Sequence, residues 1–122
     1  MKIDLSDKKI LIVEDEDINF TLLELYLKDY NINITRCVDS EEFFVKFNDS
    51  YDMLLLDIRI PGELLGIDLL AYARHSNYKK PIIMQSAYTE YNEEAMVLGA
   101  DGFMEKPFDD KDLRELITKY LL

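Results

Sequence analysis

The chain has a single cysteine, Cys37, so no disulfide can form within it. Its apolar setting marks the thiol as a small core residue, and with only Arg36 as a basic neighbour little would lower its pKa into the reactive range. Glycine and proline are scarce, at 4 and 3 of 122 residues, while 48% of the residues are hydrophobic. That combination excludes a disordered chain. No N-terminal segment has the form of a signal peptide, and no apolar run nears the ~20 residues that cross a bilayer. A reducing, cytoplasmic setting is the expectation. Positive charge is the minority sign: 14 Lys and Arg face 25 Asp and Glu, for a net charge of −11. This balance argues against direct binding to nucleic acid or to an anionic membrane surface. It favours cationic partners and divalent metal ions. The only histidine, His75, falls near the end of an expected helix, where a cation suits the dipole. It reads as a surface or structural residue.

What the chain does have is a recurring unit of apolar run, polar end and helix. Lys9–Val13 is β-branched and apolar, and it ends in Glu14-Asp15-Glu16-Asp17. Met53 to Leu56 is a second such run, ending at Asp57 before Pro61-Gly62. Unbroken apolar runs of this length suit strands covered on both faces, as in a parallel sheet. Residues 32–38 alternate and read as another strand. Residues 81–84 form a further strand ending in Gln85-Ser86-Ala87, and Gly102-Phe-Met-Glu105 a last, shorter one ending in Lys106-Pro107.

Helices fill the intervals. Residues 18–28 repeat apolar positions at helical spacing in two rows, Ile18, Leu22, Leu25 and Leu23, Leu27, with Asp17 available as N-cap. Asp39 or Ser40 caps a short helix whose Phe43, Phe44 and Phe47 are read as core. Residues 67–75 form a helix with Leu69, Leu70 and Ala73 inward. A short helix over 90–98 is stopped by Gly99. Asp109 caps a last helix with Leu113, Leu116, Ile117 and Tyr120 on its inner face. Tyr88 and Tyr91 are the candidates for exposed contact residues. Strands alternating with helices predict an α/β fold, (βα)5, a doubly wound five-stranded parallel sheet. No linker or repeat interrupts residues 1–122, so one domain is expected.

In open sheets of this kind, ligands bind beyond the carboxyl ends of the strands. Those ends carry Glu14, Asp15, Asp57, Ser86 and Lys106. Clustered carboxylates repel one another unless a lysine or a hard cation neutralises them. Oxygen ligands with few protein contacts suit Mg²⁺. A carboxylate can also attack a phosphoryl group to give an aspartyl phosphate, with Mg²⁺, an ammonium and a hydroxyl neutralising the oxygens.

These motifs together, Glu14-Asp15, Asp57 before Pro61-Gly62, Ser86-Ala87 and Lys106-Pro107-Phe108, resemble the receiver domain of bacterial two-component response regulators, from about Lys9 to Leu121. The resemblance implies a flavodoxin-like strand order 2-1-3-4-5 and a role for each residue. Asp57 would be the phosphoacceptor, receiving its group from a sensor histidine kinase or a histidine phosphotransfer protein. Asp15, Asp57 and the backbone carbonyl of Arg59 would ligate Mg²⁺, for which Mn²⁺ could substitute, and Glu14 would act largely through metal-bound water. Ser86 and Lys106 would each hold a phosphoryl oxygen. Phe103 would turn inward as an aromatic switch, and the Lys106-Pro107 bond would be cis. Arg59 and Tyr88 would flank the phosphoryl group and set its lifetime. Signalling to a downstream protein would pass through the surface of the fourth helix, fifth strand and fifth helix, from a monomer or a phosphorylation-dependent dimer.

The chain departs from the usual receiver pattern in three places. The stretch Gly62-Glu-Leu-Leu-Gly66 is slightly longer, the span from Ser86 to Lys106 slightly shorter, and Phe103 lacks the hydroxyl of the common tyrosine. A shorter span requires a short fourth helix or a tight loop before it. Catalysis would be limited to self-phosphorylation and autodephosphorylation, so an enzyme in the ordinary sense is not expected. The alternative is an interaction module of the same fold that is never phosphorylated. Flavin or dinucleotide binding fits poorly, since four acids stand where a phosphate loop would be and no G-x-G-x-x-G occurs. A haloacid-dehalogenase-type phosphatase would want an acid where Arg59 stands. The chain would be either a stand-alone receiver or one cut from a hybrid histidine kinase.

Overall fold

A computed structural model describes residues 3–87 and 89–122. Five strands and five helices alternate: β1 Lys9–Val13, α1 Asp17–Leu27, β2 Asn33–Cys37, α2 Ser40–Lys46, β3 Met53–Asp57, α3 Gly66–His75, β4 Ile82–Ser86, α4 Asn92–Leu98, β5 Gly102–Glu105 and α5 Asp110–Leu121. All pairings are parallel, and the order is β2-β1-β3-β4-β5. The fold is the flavodoxin-like doubly wound sheet.

The unbroken apolar runs go where a strand has no wet face. Every residue of β3 and β4 is buried, as is all of β1 after Lys9. Alternation along these strands divides the core in two. Leu11, Val13, Leu54, Leu56, Ile82 and Met84 pack with α2, α3 and α4, whereas Ile10, Ile12, Met53, Leu55 and Ile83 pack with α1 and α5. The edge strand β2 keeps polar residues on its outer positions and buries Cys37 completely.

Several helix boundaries differ from the expectation, each for a local reason. In α1 the inward row is Leu23 and Leu27, while Ile18 and Leu25 are 75% and 60% exposed. Asp17 is not the N-cap: the helix begins at Asp17 itself, with Glu16 extended in the cap position, and the Asp17 carboxylate pairs with Arg36 at 2.9 Å. In α2, Asp39 is the cap, accepting from the Glu42 N–H at 2.9 Å, and Glu42 returns the favour by accepting from the Val38 N–H. The strand β2 ends at Cys37, whose carbonyl accepts the last bond from β1, the Glu14 N–H at 2.9 Å. Phe43 is core and Phe47 half-buried against it, but Phe44 is exposed and meets Tyr72 edge-on. Helix α4 is short, starting at Asn92 and closed by Gly99 at φ 108°. Tyr91 is half-buried against the core and not a free surface ring.

Candidate functional site

Strand order reverses between β1 and β3, and the crevice at that switch point lies beyond their carboxyl ends. The ladder pairs Val13 with Leu56, so the next residues, Glu14 and Asp57, emerge side by side. One step further out, Asp57 pairs with Gln85 and Gln85 with Met104. Lys106 follows at the end of β5, and its peptide bond to Pro107 is cis. Its backbone N–H is fixed by the Ser86 carbonyl at 2.9 Å.

The lysine crosses β4 to reach the carboxylates. Its Nζ donates to Glu14 Oε1 at 2.7 Å and to Asp57 Oδ2 at 2.8 Å. Glu14 is wholly buried and Asp57 nearly so. Burial is the largest influence on both acids and holds their pKa values above the usual carboxylate range, against the pull of Lys106. Burial works the other way on Lys106, but the hydrogen bonds and charges of Asp57 and Glu14 outweigh it and raise its pKa. The ammonium is therefore firmly protonated, and the two acids are poorly compensated by one cation. Carboxylate oxygens of Glu14, Asp15 and Asp57 lie within 4.8 Å of one another. Hard oxygen donors so spaced and short of positive charge fit a small divalent cation.

The remaining expected residues lie around this centre. Ser86 ends β4 and is buried. A cavity of ≈170 Å³ separates it from Phe103, with Ile58, Thr89 and Asn92 also in its walls. Phe103 itself is half-buried against the core, with one side on that cavity. Arg59 gives its backbone N–H to Asp57 Oδ1 at 3.3 Å. Its guanidinium bonds Glu90 at 2.6 Å and stands 5.8 Å from the Tyr91 ring, so it links the loops that follow β3 and β4. Tyr88 lies outside the described residues. His75 is exposed at the end of α3, away from the site.

Two residues of the site are not apparent from sequence reasoning. Arg36, on β2, donates from Nε to the Glu14 carbonyl at 3.0 Å, pairs with Asp17 and covers the Phe20 ring at 4.7 Å. It braces the acidic loop from below. Gln85 is fully buried beside Asp57. The only sequence signal for it is a carboxamide that directly follows a purely apolar run. Gly66 has a local reason to be glycine: a Cβ there would stand 2.0 Å from the Asp57 carbonyl oxygen. The N–H of Gly66 also bonds the Ile58 carbonyl at 2.7 Å, closing the loop under the site.

Comparison with known proteins gives a consistent result. The family described as the response regulator receiver domain matches residues 10–118. The alkaline phosphatase synthesis transcriptional regulatory protein PhoP of Bacillus subtilis (strain 168) is 31% identical over 118 residues, covering 94% of this chain and 49% of that protein. The transcriptional regulatory protein CpxR of Escherichia coli (strain K12) is 35% identical over 107 residues, 86% of this chain and 45% of that protein. The chain thus spans about half the length of these curated relatives. Among solved structures, a response regulator receiver domain protein (CheY-like) from Methanospirillum hungatei JF-1 superposes with a TM-score of 0.82 at 25% identity, covering 92% of this chain and 91% of that one.

Proposed function

Because the chain belongs to the response regulator receiver domain family, we propose that Asp57 accepts a phosphoryl group from a phosphohistidine on a sensor histidine kinase or a phosphotransfer protein. The observation that carries this reading is the buried Lys106 ammonium, shared between Glu14 and Asp57 at 2.7 and 2.8 Å. In the transfer an Asp57 carboxylate oxygen bonds to phosphorus as the imidazole N–P bond breaks, and the imidazole leaves with its electron pair. Glu14, Asp15, Asp57 and the Arg59 carbonyl are the groups that would hold Mg²⁺, which when bound supplies the positive charge the phosphoryl oxygens require.

The chain's own residues do the rest. Lys106 is already at the nucleophile and turns to a phosphoryl oxygen once the carboxylate is phosphorylated. The Ser86 hydroxyl donates to another oxygen, and the ≈170 Å³ cavity behind it gives Phe103 room to turn inward. Phosphorylation then biases an equilibrium between two arrangements of the α4–β5–α5 face, which a downstream protein reads. The domain has no turnover of its own beyond self-phosphorylation and autodephosphorylation. Arg59, whose guanidinium pairs with Glu90, together with Tyr88 governs how readily water reaches the acyl phosphate.

The test is intact mass after incubation with acetyl phosphate and Mg²⁺. One added phosphoryl group in the wild type, absent in Asp57→Asn and abolished by a chelator, supports the reading. No gain under these conditions leaves an interaction module of the same fold. The roles of Arg59 and Tyr88 are checked separately: Arg59→Ala and Tyr88→Ala should change the dephosphorylation rate, and rates equal to wild type would count against them.

A further inference from the structure

Gln85 is the only glutamine in the chain. It is fully buried, yet among the described residues neither its Oε1 nor its Nε2 has a hydrogen-bond partner. Buried carboxamides are nearly always paired, and one left unpaired destabilises the fold relative to an apolar side chain of the same reach. Its neighbours indicate what it could serve. The register sets Glu14, Asp57, Gln85 and Met104 in one row across β1, β3, β4 and β5. Ile12, Leu55, Ile83 and Met104 belong to the same half of the core, so the side chains of this row share a face. Lys106 lies two residues beyond Met104 on that face. To reach Asp57 and Glu14 its stem must cross β4, the strand of Gln85. Two of the three ammonium protons are committed to those carboxylates. A cation that shares the same oxygens would repel the ammonium, and Gln85, on the strand that the lysine stem crosses, carries an uncharged acceptor oxygen.

We propose that Gln85 is a positioning residue for Lys106: its carboxamide oxygen accepts an ammonium proton when Glu14 and Asp57 turn their charge to a bound cation or phosphoryl group. The lysine is then retained in the site instead of withdrawing toward solvent. This rests on the phosphoacceptor reading above and adds a residue to it. A carboxamide that only filled space would have no such dependence on Lys106.

Because the glutamine is unique, glutamine-selective ¹⁵N labelling of the full chain gives one side-chain amide signal. That signal should move on addition of Mg²⁺ alone, and the movement should be lost in Lys106→Ala. Gln85→Met and Gln85→Leu remove the acceptor and keep the bulk. Both should unfold at a higher temperature than wild type without metal, and both should be labelled by acetyl phosphate about tenfold more slowly at saturating Mg²⁺, the loss expected for one hydrogen bond to a charged group. An amide signal indifferent to Mg²⁺, or labelling rates within about twofold of wild type, overturns the inference while leaving the phosphoacceptor reading intact. A wild-type protein that gains no phosphoryl group overturns both.

Discussion

At the scale of single residues, the chemistry is set by what burial does to each polar group. Cys37 is fully buried, and burial pushes its thiol up to about 12 from an ordinary 9.0. Two outcomes follow from that direction. Iodoacetamide should leave the native protein unmodified at pH 8 and label it only on unfolding. Above pH 9 the unfolded thiol ionises while the folded one stays protonated, so the unfolded state binds fewer protons and stability falls as pH rises. The slope attributable to this group is about 1.4 kcal/mol per pH unit between the two pKa values. Urea titrations at stepped pH should show it as a difference between wild type and Cys37→Ala, and parallel curves would refute it. The burial of Cys37 was readable in the sequence from its apolar setting. The bracing role of Arg36 was not. Its partners, the Glu14 carbonyl and Asp17, arrive from another strand and loop, and no local pattern encodes that meeting. Gln85 was missed for a related reason: whether a carboxamide at a strand end is wet or buried depends on which strands flank it.

At the scale of elements, short helices depend on their ends. Helix α5 opens with a reciprocal cap, in which Asp109 accepts from the Asp112 N–H at 2.9 Å and Asp112 accepts from the Asp109 N–H at 3.0 Å. Asp109→Ala should cost about 1 kcal/mol, read as a lower urea midpoint with an unchanged slope. Gly66, where α3 starts, is a sharper case. Added at 2.0 Å from the Asp57 carbonyl oxygen, even a methyl group forces β3 and α3 apart. Gly66→Ala should therefore cost on the order of 4 kcal/mol, at the severe end for one substitution. It should also weaken Mg²⁺ binding, since Asp57 is the residue displaced; a variant that folds and binds Mg²⁺ like wild type would contradict this contact. The sequence showed that each element exists, because the apolar runs and the capping residues Asp39 and Asp109 are local signals. The ends were less visible. The sequence offers Asp17 as a cap, yet it lies in the first turn of the helix and pairs with Arg36, which comes from another strand. The two apolar rows of α1 are also equivalent on paper, and the sheet's placement selects Leu23 and Leu27.

At the scale of the whole molecule, a net charge of −11 on a small domain means that the folded state is under general self-repulsion. Any salt should relieve part of it by screening. The carboxyl ends of β1 and β3 add a local version of the same strain, since three carboxylates gather there around one ammonium, and burial already disfavours the charge on Glu14 and Asp57. A cation that binds only the folded arrangement stabilises it by mass action, by about 2.7 kcal/mol at a hundredfold excess over its dissociation constant. The two effects separate at matched ionic strength. MgCl₂ should raise the thermal midpoint further than NaCl does in the wild type, and the excess should vanish in Asp15→Asn, which removes a donor at the rim of the site without touching the Lys106 pairs. Were the two salts to raise the midpoint equally, the acidic cluster would be only a solvated charged edge of the sheet, and the raised pKa values of Glu14 and Asp57 would reflect burial without a ligand to offset it.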